Sequence, residues 1–362
     1  MENDKLEAFL ISRMDHPAVD VLLKAATPFY PLVYLGAKAH ANFKLRRRRL
    51  PKPVISVGNI TVGGTGKTSF VRLLLEMLEK EGLRTAVLSR GYKRTGRGLR
   101  VVSKGGGPLL GYESCGDEPW MIANWGTNAA VLVSRDRFEA GLAAMEEYSP
   151  DVFVLDDGFQ HVSLERDLDI VLLDCTNAFG NGRIIPFGLL REPLSALRRA
   201  DLIVVTRCNQ SDIVEAVETL ARQFACGVPL MRASHEPELL VGCDQKALDL
   251  GELRGRPVYA FSGIGNHSSF YLSVLQCGGD IKDTKPFPDH HKYTRDELLV
   301  METEARGSGA EWLLTTEKDM VRITDVNLTI PLYALTVRLR ILSGMELLES
   351  ALDKALQPPL SP

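Results

Sequence analysis

The stretch that decides the fold runs from Val57 to Thr68 and reads Val-Gly-Asn-Ile-Thr-Val-Gly-Gly-Thr-Gly-Lys-Thr. The apolar residues 53–57 at its start predict a buried strand, and residues 69–78 after it have the apolar spacing of an amphipathic helix. A strand, a glycine-rich turn ending in Gly-Lys-Thr, and a helix are the parts of a phosphate-binding loop. The sequence therefore predicts a site for a nucleoside triphosphate.

Each part of this loop has a chemical role. The glycines let successive backbone N–H groups point at one anion, and the helix N-terminus adds its positive end. Lys67 is expected to reach the β- and γ-phosphates, while the Thr68 hydroxyl takes one position on Mg²⁺. Thr61 stands where the strict pattern has its first glycine. The predicted nucleotide-binding residues are Thr61, Val62, Gly63, Gly64, Thr65, Gly66, Lys67 and Thr68.

After the loop, continuous apolar runs alternate with helical patterns. Such runs are typical of strands buried on both faces, so we expect a mainly parallel α/β sheet with helices on both faces, similar to P-loop NTPases. The pattern weakens over residues 230–255, which we interpret as a linker. The predicted organisation is an N-terminal segment at 1–50, a core at 51–235 and a smaller α/β lobe at 256–362. The predicted strands are 85–89, 130–134, 152–155, 170–173, 202–205 and 257–261, and the last helix is 344–355.

Composition narrows the class of protein. The 362 residues carry 43 Lys or Arg and 46 Asp or Glu, which gives a net charge of −3. The six cysteines include no Cys-x-x-Cys pair, which argues against structural zinc or a disulfide framework and suits a reducing cytoplasm. The first residues are acidic and polar, so no signal peptide is expected.

The charge is unevenly distributed. Residues 21–75 contain ten Lys or Arg and no Asp or Glu. The uncharged run at 25–37 falls short of the ~20 residues that span a bilayer, and a basic cluster with four arginines at 46–49 follows it. This order favours a helical segment on an anionic membrane surface, with a solvated helix face and a nucleic-acid patch as the alternatives. The aromatic residues of the run favour the membrane, and we expect no nucleic-acid partner.

Two pairs of adjacent carboxylates are candidate site residues. Asp156 and Asp157 end an apolar run, as in a Walker B strand, and are expected to orient Mg²⁺ opposite Thr68. Asp117 and Glu118 stand just before a proline, where one carboxylate could accept a proton and the other could contact the metal. Both motifs have structural alternatives, a turn cap at a strand end and a common helix start.

Basic and aromatic residues also follow predicted strands or loops. One histidine of the pair His290 and His291 could act as a base beside a carboxylate, and a polar loop is the alternative. The motifs Arg-Gly-Tyr (90–92), Arg-Asp-Arg (135–137) and Arg-Glu-Pro (191–193) each offer an arginine to phosphate, or to a surface ion pair.

Taken together, these motifs resemble the tetraacyldisaccharide 4′-kinases, the kinases of lipid A synthesis in Gram-negative bacteria. The residues that carry the resemblance are 57–68, Ser-Arg-Gly-Tyr (89–92), Gly-Asp-Glu-Pro (116–119), Leu-Asp-Asp-Gly-Phe-Gln-His (155–161), Leu-Arg-Glu-Pro (190–193), Gly-Ile-Gly-Asn (263–266), Phe-Pro-Asp-His-His (287–291) and Thr-Thr-Glu-Lys-Asp (315–319). Thr61 in place of the first glycine is the form found in that family.

The resemblance implies transfer of the γ-phosphoryl group of ATP to the 4′-hydroxyl of a tetraacyl glucosamine disaccharide 1-phosphate. It implies that Asp117 and a histidine, taken as His290 with His291 left open, form a base dyad, while Lys67 and Mg²⁺ stabilise the phosphates. The metal candidates are Thr68, Glu118, Asp156 and Asp157. The candidates for the substrate environment are Tyr92, Arg137, Gln160, His161, Arg191 and Glu192.

An acylated substrate stays in a bilayer, so the expected location is the cytoplasmic face of the bacterial inner membrane, peripherally attached. One alternative is a nucleotide-dependent switch or metallochaperone-like P-loop NTPase, but the guanine-reading motif Asn-Lys-x-Asp is absent. Another is a kinase of a soluble small molecule, which does not explain the acid-free residues 21–75. The sequence carries no signal for an oligomeric state.

Overall fold

A computed structural model describes residues 47–185, 187–323 and 328–357. Within these residues thirteen strands form one sheet. The strands are β1 (Val54–Asn59), β2 (Thr85–Ser89), β3 (Arg100–Lys104), β4 (Ala130–Val133), β5 (Val152–Asp156), β6 (Leu168–Asp174), β7 (Leu202–Thr206), β8 (Leu230–Gly242), β9 (Ala247–Leu248), β10 (Pro257–Ser262), β11 (Asp280–Pro286), β12 (Trp312–Thr316) and β13 (Leu332–Ser343). The helices are α1 (Lys67–Lys80), α2 (Tyr112–Cys115), α3 (Asp117–Asn124), α4 (Arg137–Tyr148), α5 (Val214–Phe224), α6 (His267–Gln276), α7 (Arg295–Gly307), α8 (Glu317–Met320) and α9 (Met345–Leu356).

The strand order is β11-β10-β12-β13-β8-β7-β6-β1-β5-β2-β4-β3, and β9 pairs with β8. Neighbouring strands are parallel except at β3–β4, β8–β9 and β8–β13. Because the core strands are covered on both sides, β1, β5, β6 and β7 are buried along their whole length. The predicted mainly parallel α/β sheet is confirmed.

Helices pack on both faces of the sheet, as predicted. On one face, Ile55 and Val57 of β1 pack in a cluster with Phe70 of α1 and Leu348 of α9. On the other face, Val54 packs in a cluster with residues of α4. Alternate residues of a strand point to opposite faces, so this division within β1 follows from the strand period of two.

The linker prediction is wrong for residues 230–242, which form the long strand β8. This strand pairs antiparallel with β13 and joins the strands of the C-terminal lobe to those of the core. Its outer positions are charged, and ion pairs such as Glu238–Arg338, at 2.9 Å, cross to the neighbouring strand. Pro237 lies where the register shifts, a position that tolerates a missing N–H donor. The domain bounds 51–235 and 256–362 stay a prediction.

Residues 1–46 lie outside the described part of the chain, and with them the apolar run 25–37 and Arg46 of the basic cluster. Arg47 of this cluster is exposed, and Arg48 and Arg49 are paired. Arg48 donates to both carboxylate oxygens of Asp136 at 2.7 Å, and Arg49 contacts Asp167 at 2.7 Å. No helix among the described residues is long and apolar enough to cross a bilayer.

Candidate active site

A cavity of about 920 Å³ opens at the carboxyl ends of the parallel strands. Open α/β sheets place their ligand sites at this edge. Nine Lys or Arg side chains and five carboxylates line the cavity, so its walls carry an excess of positive charge suited to polyphosphate. The cavity is lined by residues from each of the eight motifs that carry the resemblance, including Lys67, Tyr92, Asp156, Gln160 and His290.

The glycine-rich loop connects β1 to α1 as predicted. Gly63 and Gly66 have φ of 117° and 86°, values that favour glycine. Among the described residues, no acceptor contacts the N–H groups of residues 63–66. These donors and the N-terminus of α1 form an anion-binding site.

Two side chains at the carboxyl end of β7 donate hydrogen bonds to carbonyls of the phosphate-binding loop. Thr206 donates its hydroxyl to the carbonyl of Thr65 at 3.0 Å, and Arg207 donates to the carbonyl of Gly64 at 2.8 Å. The carbonyls of Gly64 and Thr65 are thereby bonded to donors from the end of β7. This arrangement leaves the N–H groups for an anion.

Lys67 is buried beside the Walker B aspartates. Its Nζ lies 3.4 Å from Asp157 Oδ1, and Arg191 Nη1 contacts the other oxygen of this carboxylate at 2.7 Å. Burial acts to raise the pKa of Asp157, but Lys67 and Arg191 outweigh it and hold this pKa at about 2. Asp157 is therefore ionised at neutral pH and positions both cations.

Asp156 is fully buried at the end of β5. Its Oδ2 accepts a hydrogen bond from Ser89 at 3.0 Å, and its Oδ1 has no partner among the described residues. Burial raises the pKa of Asp156 well above its ordinary value, and the nearby carboxylates of Glu118 and Asp157 add to the effect. A divalent cation would offset this repulsion between carboxylates.

Asp117 and His290 form a hydrogen-bonded pair, although 173 positions separate them in the chain. Asp117 is the first residue of α3, and His290 has φ of 64° in the loop after β11. The distance from His290 Nδ1 to Asp117 Oδ2 is 2.9 Å. A ring that donates from Nδ1 to a carboxylate keeps Nε2 as its acceptor, which is the arrangement of a general base.

His291 points to a different partner. Its Nε2 lies 3.2 Å from Glu297, and its ring stacks on Phe287 with the centroids 4.5 Å apart. His290 lines the cavity and His291 does not. The geometry therefore favours His290 over His291 as the partner of Asp117.

The charge of Asp117 depends on its neighbours. Burial acts to raise the pKa of Asp117, but the hydrogen bond from His290 and the charge and hydrogen bond of Arg322 outweigh it, so this pKa lies below its ordinary value. Arg322 Nε donates to the same oxygen, Oδ2, at 2.7 Å. The carboxylate is thus ionised when it meets His290.

Five of the six predicted substrate residues line the cavity: Tyr92, Arg137, Gln160, His161 and Arg191. Tyr92 is 56% exposed, and its ring centroid lies 5.4 Å from that of His290. Arg137 is buried near Asp156 and Asp157, and burial lowers its pKa. Burial also lowers the pKa of His161 to about 4, with the charge of Arg137 adding to the effect. His161 is therefore neutral at physiological pH and is suited to a hydrogen bond.

Gln160 and Glu192 belong to one hydrogen-bond network at this wall. Gln160 lines the cavity, and its amide donates to the carbonyl of Asn59 at 2.8 Å and to Glu192 at 3.2 Å. Glu192 does not line the cavity and pairs with Arg199 at 2.7 Å. Glu192 therefore orients Gln160, and contact of Glu192 with a substrate stays a prediction.

Sequence reasoning missed several residues of the site. Lys318 lies 3.4 Å from Glu118 and 3.6 Å from Asp289, so it links the first turn of α3 to the loop after β11. Arg207 and Arg322 were also not predicted. Arg207 directly follows the predicted strand 202–205 and Thr206, and Arg322 lies shortly after the motif at 315–319. Both arginines make contacts with residues more than 50 positions away, which the sequence pattern does not show.

A phosphate-binding loop between the first strand and first helix of such a sheet defines a P-loop nucleotide-binding protein of the α/β class. The family model described as tetraacyldisaccharide-1-P 4′-kinase matches residues 20–357. The chain belongs to this family, and it is an enzyme, a kinase.

The relatives agree with this assignment. The tetraacyldisaccharide 4′-kinase of Geobacter metallireducens is 39% identical over 347 residues, which cover 95% of this chain and 100% of the relative. The enzyme of the same name from Geobacter sulfurreducens is 41% identical over 338 residues, with 93% of each chain covered. The crystal structure of the "apo" form of the Aquifex aeolicus family member in complex with ATP is 34% identical, with a TM-score of 0.73, and covers 94% of this chain and 100% of that one.

Proposed function

We propose that this protein transfers the γ-phosphoryl group of ATP to the 4′-hydroxyl of a tetraacyl glucosamine disaccharide 1-phosphate and forms the 1,4′-bisphosphate. The observation that carries this proposal is the Asp117–His290 pair at the wall of the cavity that also contains the phosphate-binding loop. A positioned base beside a phosphate site is what a kinase of an alcohol needs, because the acceptor hydroxyl must lose its proton.

His290 takes the proton of the 4′-hydroxyl at Nε2, and Asp117 stabilises the ring as it becomes positive. Lys67 neutralises charge on the transferring group, and the free N–H groups of the loop bind the β-phosphate. Arg137 and Arg191 extend this positive wall toward the acceptor. The ring of Tyr92 lies beside that of His290 at the cavity wall, where it can contact the acceptor.

The residues present fit a magnesium ion. The described residues contain no group of three or more His, Cys, Asp or Glu side chains that could hold a metal by themselves. Magnesium in kinases is usually held by one or two carboxylates, water and the substrate phosphates, so such a cage is not needed. Thr68 and the unpartnered Oδ1 of Asp156 would hold it, with Asp157 and Glu118 nearby. When bound, Mg²⁺ would neutralise charge on the β- and γ-phosphates.

The proposed location is the cytoplasmic face of the bacterial inner membrane, with peripheral attachment. The lipid substrate stays in the bilayer, and the basic, acid-free residues 21–75 offer an electrostatic contact with anionic headgroups. Within this stretch, Arg48 and Arg49 are paired with carboxylates of the core. We therefore assign the membrane contact to the residues before them.

The test is a transfer assay with γ-labelled ATP, a tetraacyl disaccharide 1-phosphate in detergent micelles, and glucosamine as a small-sugar control. We expect label in the lipid, none in glucosamine, and no transfer after EDTA removes the divalent cation. Label in the soluble sugar would favour a metabolite kinase. ATP hydrolysis without transfer would favour a nucleotide-dependent switch.

A further inference from the structure

Arg322 is a buried arginine that joins four segments of the chain. It lies two residues after α8, and 1% of its side chain is exposed. Its Nε donates to Asp117 Oδ2 at 2.7 Å. Its Nη1 donates to the carbonyls of Gly263 and His291, at 3.2 and 3.3 Å, and to Asp319 Oδ1 at 3.1 Å. The guanidinium therefore links the start of α3 to the loop that carries His290.

Asp319 fixes the other side of this guanidinium. It is fully buried, and its two oxygens accept the backbone N–H of Gly263 at 3.0 Å each. The hydroxyl of Tyr293 donates to Oδ1 at 3.0 Å, and that of Thr316 donates to Oδ2 at 2.6 Å. Since three donors besides the arginine hold this carboxylate, Arg322 is attached to a rigid base.

The Asp117 oxygen that accepts from Arg322 is the one that accepts from His290, at 2.9 Å. Two donors on one oxygen restrict rotation of the carboxylate about its Cβ–Cγ bond. The direction from which the histidine can dock is thereby set by the arginine. Arg322 also contacts the carbonyl of the residue after His290, so it positions both members of the pair.

Arg322 and Asp117 do not line the cavity, whereas His290 does. An arginine outside the cavity can act on phosphoryl transfer only through the residues that it holds. Other charged or titratable groups also lie near the Asp117–His290 pair, and a substitution at Arg322 does not alter them chemically: Tyr112, Cys115, Asp289 and Lys318.

We propose that Arg322 is a positioning residue for phosphoryl transfer, which holds the Asp117 carboxylate in the orientation in which His290 docks. The inference rests on the proposed function, because it gives Arg322 a role only if Asp117 and His290 act as the base. Arg322 contributes to turnover through Asp117 and makes no contact with ATP or the lipid.

A double-mutant cycle on the full chain tests this role, with kcat and KM measured for ATP and for the lipid acceptor in detergent. Arg322→Met should lower kcat by about 10–10²-fold, the scale of a misplaced catalytic group, with both KM values within about twofold. Arg322→Lys should give an intermediate kcat, since it keeps the charge and loses the planar fork. In an Asp117→Asn background, Arg322→Met should lower kcat by less than about twofold.

An equal fold-loss in both backgrounds would overturn the inference, as would an unchanged kcat in Arg322→Met or a loss confined to either KM. Arg256→Met is the matched control, because it removes a surface arginine that pairs with Glu311 at 2.6 Å in the same lobe. If thermal denaturation shows that Arg322→Met is not folded, the variant Asp319→Asn/Arg322→Met takes its place in the cycle. This variant removes both charges of the buried pair, so neither is left without a partner.

Two further variants separate this inference from the proposed function. If Asp117→Asn and His290→Ala keep the kcat of the wild type, the proposed base is wrong and the role of Arg322 with it. If both variants lose turnover while the cycle is additive, the base stands and only the role of Arg322 is wrong.

Discussion

Lys67 shows at the scale of one residue how a proposed catalytic side chain is kept in place. It is buried at the start of α1, and its ammonium is paired with Asp157. Removing it leaves Asp157 with Arg191, so Lys67→Ala should keep the fold while losing the charge that stabilises the transferring group. We expect kcat to fall by about 10² or more, measured by transfer of label from ATP.

Lys80→Ala is the control for this variant, because Lys80 ends the same helix and is exposed to solvent. Its kcat should equal that of the wild type. If Lys67→Ala kept more than about a tenth of the wild-type kcat, which corresponds to roughly 1.4 kcal/mol of barrier, the assignment of the phosphate-binding loop would be wrong.

Asp117 and His290 should behave as one unit. Asp117→Ala and His290→Ala should each lower kcat by roughly 10²–10⁴, the scale of a lost general base, and leave the affinity for ATP nearly unchanged. The double variant should lose little more than either single variant, since each change already breaks the pair. Steady-state kinetics with the lipid acceptor measures all three.

His291→Ala is the comparison within the same loop. Because His291 contacts Glu297 and Phe287 instead of Asp117, this variant should keep most of its kcat. Additive losses for Asp117 and His290 would contradict the pair. A larger loss in His291→Ala than in His290→Ala would move the base by one residue.

At the scale of elements, the junction between the loop and α1 depends on a close contact with β8. Gly66 has φ of 86°, and a Cβ at this position would lie 2.4 Å from the ring of His235. His235 is buried, and burial lowers its pKa well below the ordinary value, so the ring is neutral. The helix start, and with it Lys67, is thus positioned by packing against a strand 170 residues further along the chain.

Gly66→Ala should therefore lower stability and raise KM for ATP. The matched control is Gly82→Ala, where φ is 72° and a Cβ would meet nothing within 4 Å. Gly82→Ala should lower the free energy of unfolding by about 1–2 kcal/mol, through the strain of a positive φ alone. Gly66→Ala should lose more than this in urea denaturation, because the steric clash adds to the backbone strain.

The variant Gly66→Ala/His235→Ala should recover part of the lost ATP affinity, since the smaller side chain makes room for the new methyl group. Equal losses of stability in Gly66→Ala and Gly82→Ala, with no recovery in the double variant, would show that His235 does not position the loop.

At the scale of the whole molecule, the proposed attachment to a membrane depends on basic side chains that are not paired within the core. Arg48 and Arg49 pair with Asp136 and Asp167 in the core, whereas Arg47 is exposed. We therefore expect Arg46→Gln/Arg47→Gln to lower binding to anionic vesicles in a sedimentation assay and to raise KM for the lipid, but not for ATP. Each Lys or Arg near an anionic surface contributes about 1 kcal/mol.

The comparison variant is Arg48→Gln/Arg49→Gln, which should lower the melting temperature and leave vesicle binding nearly unchanged. Raising the salt concentration to 1 M should weaken binding of the wild type, because screening shortens the electrostatic range to about 3 Å. Undiminished binding by a protein without residues 1–46 would place the membrane contact elsewhere on the surface.

The local sequence determined the parts of this protein that depend on neighbours in the chain. Continuous apolar runs predicted β2 and β5 closely, because a strand covered on both faces must be apolar throughout. Glycines and Lys-Thr between a strand and a helix predicted the phosphate-binding loop, since the backbone angles and the helix N-terminus are local properties. The motif resemblance added the family, which the comparisons confirm.

Only the tertiary structure decided what depends on distant contacts. The strand β8 has charged outer positions whose partners lie on β13, so the apolar pattern of the sequence does not reveal it. The proposal of His290 over His291 as the base and the proposed role of Arg322 both rest on contacts with Asp117, about 170 and 200 positions away. The partner of a side chain across the fold depends on how the strands and helices pack together. The spacing of residues along the sequence does not specify which of them meet.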